Sequence, residues 1–192
     1  PSLLAVSLDG GTVVILEEDG TLHEEVIRNR PPANRHQSAN AVTLNWSPVA
    51  VSGNHMLATG WEDGAVLVWS EKDRMHRTDE DAHGGNVLSF VAFSPEGTRI
   101  ISGDGRQVNS TKPADAANCC VWKVDQKGRF SSLCSHKRPL AGALTHAIWR
   151  DGDMKKKLVT SSFAAADVPP FYFGGAGGVI CFGDDVRPAS PP

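Results

Sequence analysis

Residues 56–69 read Met-Leu-Ala-Thr-Gly-Trp-Glu-Asp-Gly-Ala-Val-Leu-Val-Trp, two short apolar runs separated by a tight turn. The first run ends at Gly60, and the Glu62-Asp63-Gly64 turn supplies a glycine for the positive-φ position of a hairpin. The second run ends at Trp69. Short apolar runs bounded by turn residues are typical of strands buried on both faces. This stretch therefore predicts a hairpin in the interior of a β-protein.

The same hairpin recurs along the chain. The bulky residues that end its second strand, Leu16, Trp69, Trp122 and Phe182, are separated by 53, 53 and 60 residues. A strand ending in an aromatic residue precedes the hairpin at Ala41–Trp46, Val87–Phe93 and Leu144–Trp149. A more polar strand follows it at Thr21–Ile27, Met75–Asp79 and Phe130–Cys134. Repetition of one four-strand motif predicts the blades of a β-propeller, whereas an immunoglobulin-like sandwich would not repeat in this way.

The order of these strands predicts an all-β fold, a propeller segment of about three to four blades belonging to a larger propeller. We expect a partial blade holding strands two to four, two full blades, a partial blade and a proline-rich tail. Their predicted boundaries are 1–29, 30–82, 83–135, 136–185 and 186–192. Two stretches interrupt the period and are predicted to be inserted surface loops, residues 104–118 and 152–170.

Composition excludes several classes of function. The chain has 40% apolar and 21% charged residues, which is usual for a globular protein, and its formal net charge is −3. Without a basic field, non-specific binding of nucleic acid is not expected, and no apolar run is long enough to insert into a membrane. The four cysteines form no C-x-x-C pair, so we expect reduced thiols in a cytosolic setting.

Several phrases carry a resemblance to a known family. Val66-Leu-Val-Trp69 after Asp63-Gly64, and Ala82-His83 before a first strand, resemble the WD40 repeat. More particular phrases follow one another in a fixed order: Gly60–Gly64, Phe93–Gly97, Ser102–Asp104, Trp122–Arg129 and Leu144–Arg150. Together they are similar to the amino-terminal propeller of the largest subunit of intraflagellar transport complex A. The similarity spans roughly residues 3–182.

The resemblance implies a non-catalytic scaffold that acts in retrograde ciliary transport and in the ciliary entry of membrane-protein cargo. It implies other complex A subunits as partners, together with cargo adaptors and the retrograde dynein train. The implied location is the cytoplasmic side of the cilium or flagellum and the basal body. The alternative is a WD40 module that recognises a peptide for another machine, such as a ligase or a chromatin adaptor.

Candidate site residues are therefore expected to be structural. The resemblance implies that a hairpin Asp, a His before a first strand, a hydroxyl and a third-strand Trp share a hydrogen-bond network. The predicted structural set is Trp46, Asp63, Trp69, His83, Phe93, Trp122 and Trp149. Removing a buried aromatic side chain typically costs about 3–5 kcal/mol, so packing explains these residues better than ligand binding does.

No residues support catalysis, and no cofactor is expected. The sequence has no G-x-S-x-G motif and no Cys with an evident His partner. A zinc site at His136, Cys134, Cys119 and Cys120 is an alternative, but the spacing lacks the short ligand pairs that structural zinc favours. Gly174–Gly178 is not followed by Lys-Ser/Thr, so it predicts a hairpin turn rather than a phosphate loop.

Overall fold

A computed structural model describes residues 2–27, 39–48, 53–79, 82–105, 119–136, 144–149, 171–175 and 180–183. Within these ranges every regular element is a β-strand. The first sheet contains β1 (Leu3–Leu8), β2 (Thr12–Glu17) and β3 (Leu22–Ile27). The second contains β4 (Ala41–Trp46), β5 (Met56–Trp61), β6 (Val66–Ser70) and β7 (Met75–Asp79).

The third sheet contains β8 (Leu88–Phe93), β9 (Arg99–Asp104), β10 (Cys119–Val124) and β11 (Phe130–His136). The fourth contains β12 (Leu144–Trp149), β13 (Phe171–Gly175) and β14 (Ile180–Gly183). All pairs are antiparallel and join strands that are consecutive in the sequence. The predicted all-β WD40 propeller segment is confirmed. The predicted loop interiors, residues 106–118 and 152–170, and the tail 186–192 lie outside the described residues.

Three apolar clusters join successive sheets, because the middle strands are buried on both faces. The second sheet shows this alternation: Leu57, Trp61 and Trp69 join a cluster with Val13 and Ile15 of the first sheet. The opposite face packs on the third sheet, through Met56, Ala58, Val66 and Val68 against Leu88, Val91, Ile100 and Trp122. The third cluster joins the third and fourth sheets through Phe90, Ile101, Val121, Leu144, Phe171 and Phe173.

The fourth sheet corrects two expectations. Residues Phe173–Gly175 belong to β13 instead of a turn, because Gly174 pairs with His146 as Gly60 pairs with Thr43 in the second sheet. The repeat predicted from the sequence is also one residue out of step here, because the residue equivalent to Trp69 and Trp122 is Gly183 and not Phe182. Trp69 pairs with Leu57 and Trp122 with Ile100, but the partner of Phe171 is Gly183, while Phe182 pairs with Tyr172. Phe171 and Phe173, on the neighbouring strand, supply the aromatic bulk at this seam.

Each first strand carries the same irregularity. The register shifts between Ala41 and Thr43 in β4, between Leu88 and Phe90 in β8, and between Leu144 and His146 in β12. A bulge bends the strand and re-aims the side chain that follows it. In the second and third sheets that side chain, Thr43 or Phe90, lies directly over a glycine of the next strand, Gly60 or Gly103. Glycine is therefore required at these positions by the close packing of the opposite side chain and not by a positive φ.

Gly103 offers a direct test of this packing. A Cβ at Gly103 would overlap the Phe90 ring and lie 3.2 Å from a Leu144 methyl group. Gly103→Ala should therefore lower the free energy of unfolding by about 1–3 kcal/mol, as overpacked cores do. Chemical denaturation of the variant measures this change.

Gly105→Ala is the matched control, since its nearest contacts would be an ordinary 3.5 Å to Ser89 and 3.6 Å to the Val87 carbonyl. Its effect should stay within about 0.5 kcal/mol. If overlap with the ring is the cause, adding Phe90→Ala to Gly103→Ala should cost less than the sum of the single changes. Equal losses for both glycine variants would contradict the proposed packing.

Candidate functional site

The residues expected to be structural lie at the seams between sheets. His83, Phe93, Trp69 and Trp122 are all at most 7% exposed, and Trp46 and Trp149 are half-buried. Asp63 lies in the turn between β5 and β6, where its carboxylate accepts a 3.4 Å hydrogen bond from the Ala65 N–H. The candidate site is therefore the set of contacts that hold neighbouring sheets in register.

His83, Ser102 and Trp122 meet at one buried hydroxyl. The Trp122 indole N–H donates to Ser102 Oγ at 2.9 Å, and His83 Nε2 lies 2.8 Å from the same oxygen. A hydroxyl has one proton and two lone pairs, so it can serve both neighbours. His83 precedes β8, Ser102 is in β9 and Trp122 is in β10, so the contact ties three parts of the third sheet together.

The Asp63-Gly64 turn contacts the backbone of His83 through Gly64. The His83 N–H donates to the Gly64 carbonyl at 3.2 Å, and Gly64 has a φ of +88°. A Cβ there would come within 2.9 Å of the Asn86 N. The Asp63-Gly64 turn of the second sheet thus seats the segment that leads into the third. The hairpin position that precedes Trp122 in the third sheet predicts Asp115 as the equivalent of Asp63, and Asp115 lies outside the described residues.

The second sheet has an equivalent hydroxyl with a different partner. Thr59 pairs with Leu67 as Ser102 pairs with Cys120, and the Trp61 indole N–H donates to Thr59 Oγ1 at 2.8 Å. Trp61 is fully buried. The sequence reasoning missed this residue, although its position two residues after Thr59 in one strand places both side chains on the same face.

Aromatic rings stack edge-on across the seam between the first two sheets. Trp69 contacts Trp46 at 6.1 Å and an interplanar angle of 80°, and His23 of the first sheet at 6.5 Å and 88°. His55 contacts Trp46 at 6.3 Å and 86°. At the last seam Trp149 tilts against Phe171 at 5.2 Å. Such pairs contribute about 0.5–1.5 kcal/mol beyond the area they bury.

A polar group closes the same seam beside these rings. His23 Nδ1 lies 3.1 Å from Glu17 Oε1, and its Nε2 lies 3.7 Å from Glu71 of the second sheet. His55 Nε2 is 3.9 Å from the other Glu71 oxygen. The arrangement links β2 and β3 to the turn after β6. It is a partly buried contact between sheets that sequence spacing alone does not reveal.

Hydrogen bonds also connect the inner strands of successive sheets directly. The Phe93 N–H donates to Asn45 Oδ1 at 2.8 Å, and the Trp149 indole N–H donates to the Ala92 carbonyl at 3.2 Å. Ser7 Oγ donates to the Ala41 carbonyl at 2.6 Å. Phe93 and Trp149 each end a strand. Each bonds the residue just before the aromatic residue that ends the corresponding strand of the preceding sheet. This pattern fixes the relative height of adjacent sheets.

Asn54, just before β5, links the second and third sheets. Its Nδ2 donates to Ser70 Oγ at 3.0 Å and to the Gln126 carbonyl at 2.8 Å, and its Oδ1 accepts the Lys72 N–H at 3.0 Å. Asn54 is only 3% exposed. The bonds reach the last residue of β6, the turn that follows it and the turn after β10, so this amide positions the hairpin ends.

The turn reached by Asn54 is itself organised by Asp125. Partial burial raises the pKa of Asp125, but hydrogen bonds from the Arg129 N–H, the Arg129 side chain and the Lys127 N–H outweigh it, so the pKa lies below its ordinary value. Gly128 closes the turn with a φ of +69°. In the second sheet Arg74 occupies the corresponding position with a φ of +46°, which L-residues adopt at a cost.

The remaining candidates give no ligand site in the described part of the chain. Cys119 and Cys120 are buried reduced thiols, and β10 pairs Cys119 with His136. The side chains of Cys134 and His136 are not among those described. Across the described ranges no three His, Cys, Asp or Glu residues group as metal ligands. No helix in those ranges is long and apolar enough to cross a membrane.

Antiparallel sheets stacked in sequence order, each tied to the next by a buried aromatic seam, define a segment of a WD40-type β-propeller. The chain matches the family model described as the IFT140 first beta-propeller over residues 2–169. It belongs to that family.

One curated relative is also similar. Guanine nucleotide-binding protein subunit beta-like protein 1 of Mus musculus is 27% identical over 85 residues. The aligned part makes up 44% of this chain and 23% of the mouse protein, so the chain spans less than a quarter of that relative.

The shared hydroxyl of Ser102 generates a prediction. Ser102→Ala removes the acceptor of the Trp122 indole and the contact of His83, and both side chains stay buried. We expect the free energy of unfolding to fall by about 1–3 kcal/mol, the usual cost of an unsatisfied buried polar group. Denaturant unfolding followed by tryptophan fluorescence measures it.

Ser131→Ala, on the exposed side of β11, is the control and should change stability by less than about 0.5 kcal/mol. Trp122→Phe keeps an aromatic ring but lacks the indole N–H, so combining it with Ser102→Ala should cost less than the sum of the two single changes. Unchanged stability in Ser102→Ala would show that the hydroxyl does not hold the third sheet together.

Asn54 provides a separate prediction for the seam between the second and third sheets. Asn54→Ala removes both donors to Ser70 and Gln126 and the acceptor of the Lys72 N–H. We expect a loss of about 1–3 kcal/mol and faster amide exchange in the two turns, because their polar groups lose a buried partner. Hydrogen-exchange mass spectrometry resolves both turns.

Gln126→Ala is matched to this change, since Asn54 bonds only the backbone carbonyl of Gln126, whose side chain is exposed. It should leave exchange in residues 71–74 unaltered. Faster exchange in both variants would place the effect in the turn itself and not in the Asn54 bridge.

Proposed function

We propose that this chain is a non-catalytic scaffold and protein-interaction module of intraflagellar transport complex A. The observation that carries the proposal is the family match over residues 2–169, together with buried polar residues that all have architectural contacts. His83, Ser102 and Trp122 face one another inside the third sheet, and Asn54 binds neighbouring turns. These polar groups hold sheets together and leave the rim and the loops for partners.

The proposed partners are the other subunits of complex A, with ciliary membrane-protein cargo adaptors and the retrograde dynein train as further contacts. The proposed setting is the cytoplasmic side of the cilium or flagellum and the basal body. There the module serves retrograde transport and the entry of membrane-protein cargo. Nucleic acid binding, membrane insertion and a cofactor have no part in this proposal, which agrees with a net charge of −3.

The domain arrangement is proposed in the same terms. Residues 30–82 and 83–135 are two full blades, which agrees with four strands in each of the second and third sheets. Residues 1–29 and 136–185 are partial blades. The first sheet would hold strands two to four, because the register shift between Ile15 and Leu16 in β2 matches that between Val121 and Trp122 in β10.

Affinity purification of the tagged parent protein from ciliated cells tests the function. Quantitative mass spectrometry should recover other complex A subunits with the wild type and with the exposed control Ser131→Ala. Trp122→Ala, which removes a ring that is 2% exposed, should reduce that recovery by unseating the third sheet. Recovery of a ligase or a chromatin enzyme in place of transport subunits would favour the peptide-recognition alternative and overturn the proposal.

A further inference from the structure

An arginine stands three residues before a serine at four places in the chain, and the serines are Ser38, Ser102, Ser132 and Ser190. Arginine-directed serine/threonine kinases select substrates by this spacing, because carboxylates of the kinase bind the arginine. Many of them also favour an apolar residue directly after the acceptor. Of the four serines, Ser132 is the one followed by a large apolar residue, Leu133. Residues 129–133 therefore form the most complete recognition sequence in the chain.

Burial separates the four serines further. Ser38 and Ser190 lie outside the described residues. Ser102 is fully buried, and its hydroxyl is already bonded to His83 and Trp122. Ser132, in contrast, is exposed. Within the described part of the chain, Ser132 is thus the accessible hydroxyl with this arginine spacing.

The strand β11 presents Ser132 in the form that a kinase binds, which is an extended segment. β11 is the outermost strand of the third sheet and pairs with β10 alone among the described strands. Its pairing is interrupted beside the acceptor, since Val121 pairs with Cys134 and Trp122 with Ser132, which leaves Leu133 between them as a bulge. A bulge leaves its extra residue unpaired and disrupts the ladder locally. Leu133 is accordingly 43% exposed.

Arg129 is available to a kinase although it has a partner within the turn. Its Nε donates to Asp125 Oδ2 at 2.7 Å, and the Arg129 side chain is 61% exposed. Ion pairs between exposed side chains contribute little to stability, because water and salt screen them. Carboxylates of a kinase can therefore replace Asp125 as the partner of this guanidinium.

The second sheet places a cation across the seam from Ser132. Ser132 pairs with Trp122, which packs against the second sheet, so Ser132 lies on the face turned towards that sheet. Arg77 of β7 pairs with Val68 of the same cluster and lies on the opposing face. Its Nη1 crosses the seam and donates to the Lys127 carbonyl at 2.9 Å.

The charges at this part of the rim suit an added phosphate. Arg77, Lys127 and Arg129 are the cations on β7 and the turn after β10, and Asp79 and Asp125 are the acidic groups. A phosphoserine carries a charge of about −1.5 to −2 and three acceptor oxygens, which form charge-assisted hydrogen bonds with a guanidinium. Arg77 has N–H donors beyond the one given to Lys127. It can therefore bind the phosphate without leaving the turn.

We propose that Ser132 is a phosphorylation site for an arginine-directed serine/threonine kinase, and that Arg77 binds the resulting phosphate. The Ser132 Oγ attacks the γ-phosphorus of ATP, and the new O–P bond forms as the bond to the β,γ-bridging oxygen breaks. ADP leaves, and the hydroxyl proton passes to the catalytic aspartate of the kinase. The phosphate then ties β11 to β7 at the rim. This site is additional to the scaffold function and does not depend on it.

Phosphorylation of the folded 192-residue chain tests the acceptor. The probe is the catalytic subunit of cyclic-AMP-dependent protein kinase with Mg-ATP, and site-resolved mass spectrometry reads the products. We expect phosphate on Ser132, no phosphate there in Ser132→Ala and an unchanged rate at Ser132 in the matched control Ser131→Ala. Arg129→Gln, which keeps the backbone N–H bond to Asp125, should lower kcat/KM about tenfold or more, because the charge-assisted bonds to the kinase are lost.

Two further measurements show whether the kinase acts on the folded strand. A synthetic peptide of residues 126–136 should be phosphorylated on Ser132, since it carries the whole recognition sequence. Gly103→Ala, which we expect to destabilise the third sheet, should leave the rate in the chain unchanged. A peptide that is not phosphorylated, a chain that is not phosphorylated although the peptide is, or a rate that rises in Gly103→Ala would each overturn the proposal.

Thermal unfolding of the fully phosphorylated chain tests the role of Arg77. Phosphorylation should raise the Tm of the wild type, and the rise should shrink at high salt, as expected for an exposed ion pair. Arg77→Gln should abolish the rise, whereas the matched control Lys72→Gln, at an exposed lysine in the turn before β7, should retain it. No rise in the wild type, or an equal rise in Arg77→Gln, would overturn the assignment of Arg77. Recovery of complex A subunits is a separate measurement, so failure here leaves the proposed function untouched.

Discussion

Each middle strand of this protein is apolar on both faces, and this two-sided burial is the constraint on which the rest of the structure depends. A sheet with two apolar faces cannot stand alone in water, because both faces would be exposed. In the second sheet one face is covered by the first sheet and the other by the third. Stability is therefore shared among neighbours, since each apolar cluster of the described residues draws on two sheets.

Polar groups inside such seams must form their hydrogen bonds within the protein. Their placement therefore selects one relative position of neighbouring sheets. Apolar faces alone would allow neighbouring sheets to slide. Two hydrogen bonds between sheets form only when the sheets are correctly aligned. One runs from the Phe93 N–H to Asn45, and the other from Asn54 to the Gln126 carbonyl. A buried polar group left unpaired costs about 1–3 kcal/mol, so these bonds penalise other registers.

The candidate site was partly predictable. The aromatic residues at strand ends followed from the repeat, since packing requires bulk at those positions, and His83 was singled out by its place before a first strand. The sequence did not indicate that the His83 N–H would donate to the Gly64 carbonyl, or that the Trp61 indole would donate to the Thr59 hydroxyl. Those contacts depend on which side chains neighbouring strands bring together, and local patterning does not specify that.

Sequence alone determined the strands, the turns and the repeat, because alternation of side chains along a strand and the glycine demanded by a tight turn are properties of a few adjacent residues. Tertiary structure decided the register. It placed Gly183 and not Phe182 opposite Phe171, and it made Gly174 and Gly175 part of a strand. Local patterning does not specify which residues of two neighbouring strands pair, so only the packing of one sheet on the next could select among these alternatives.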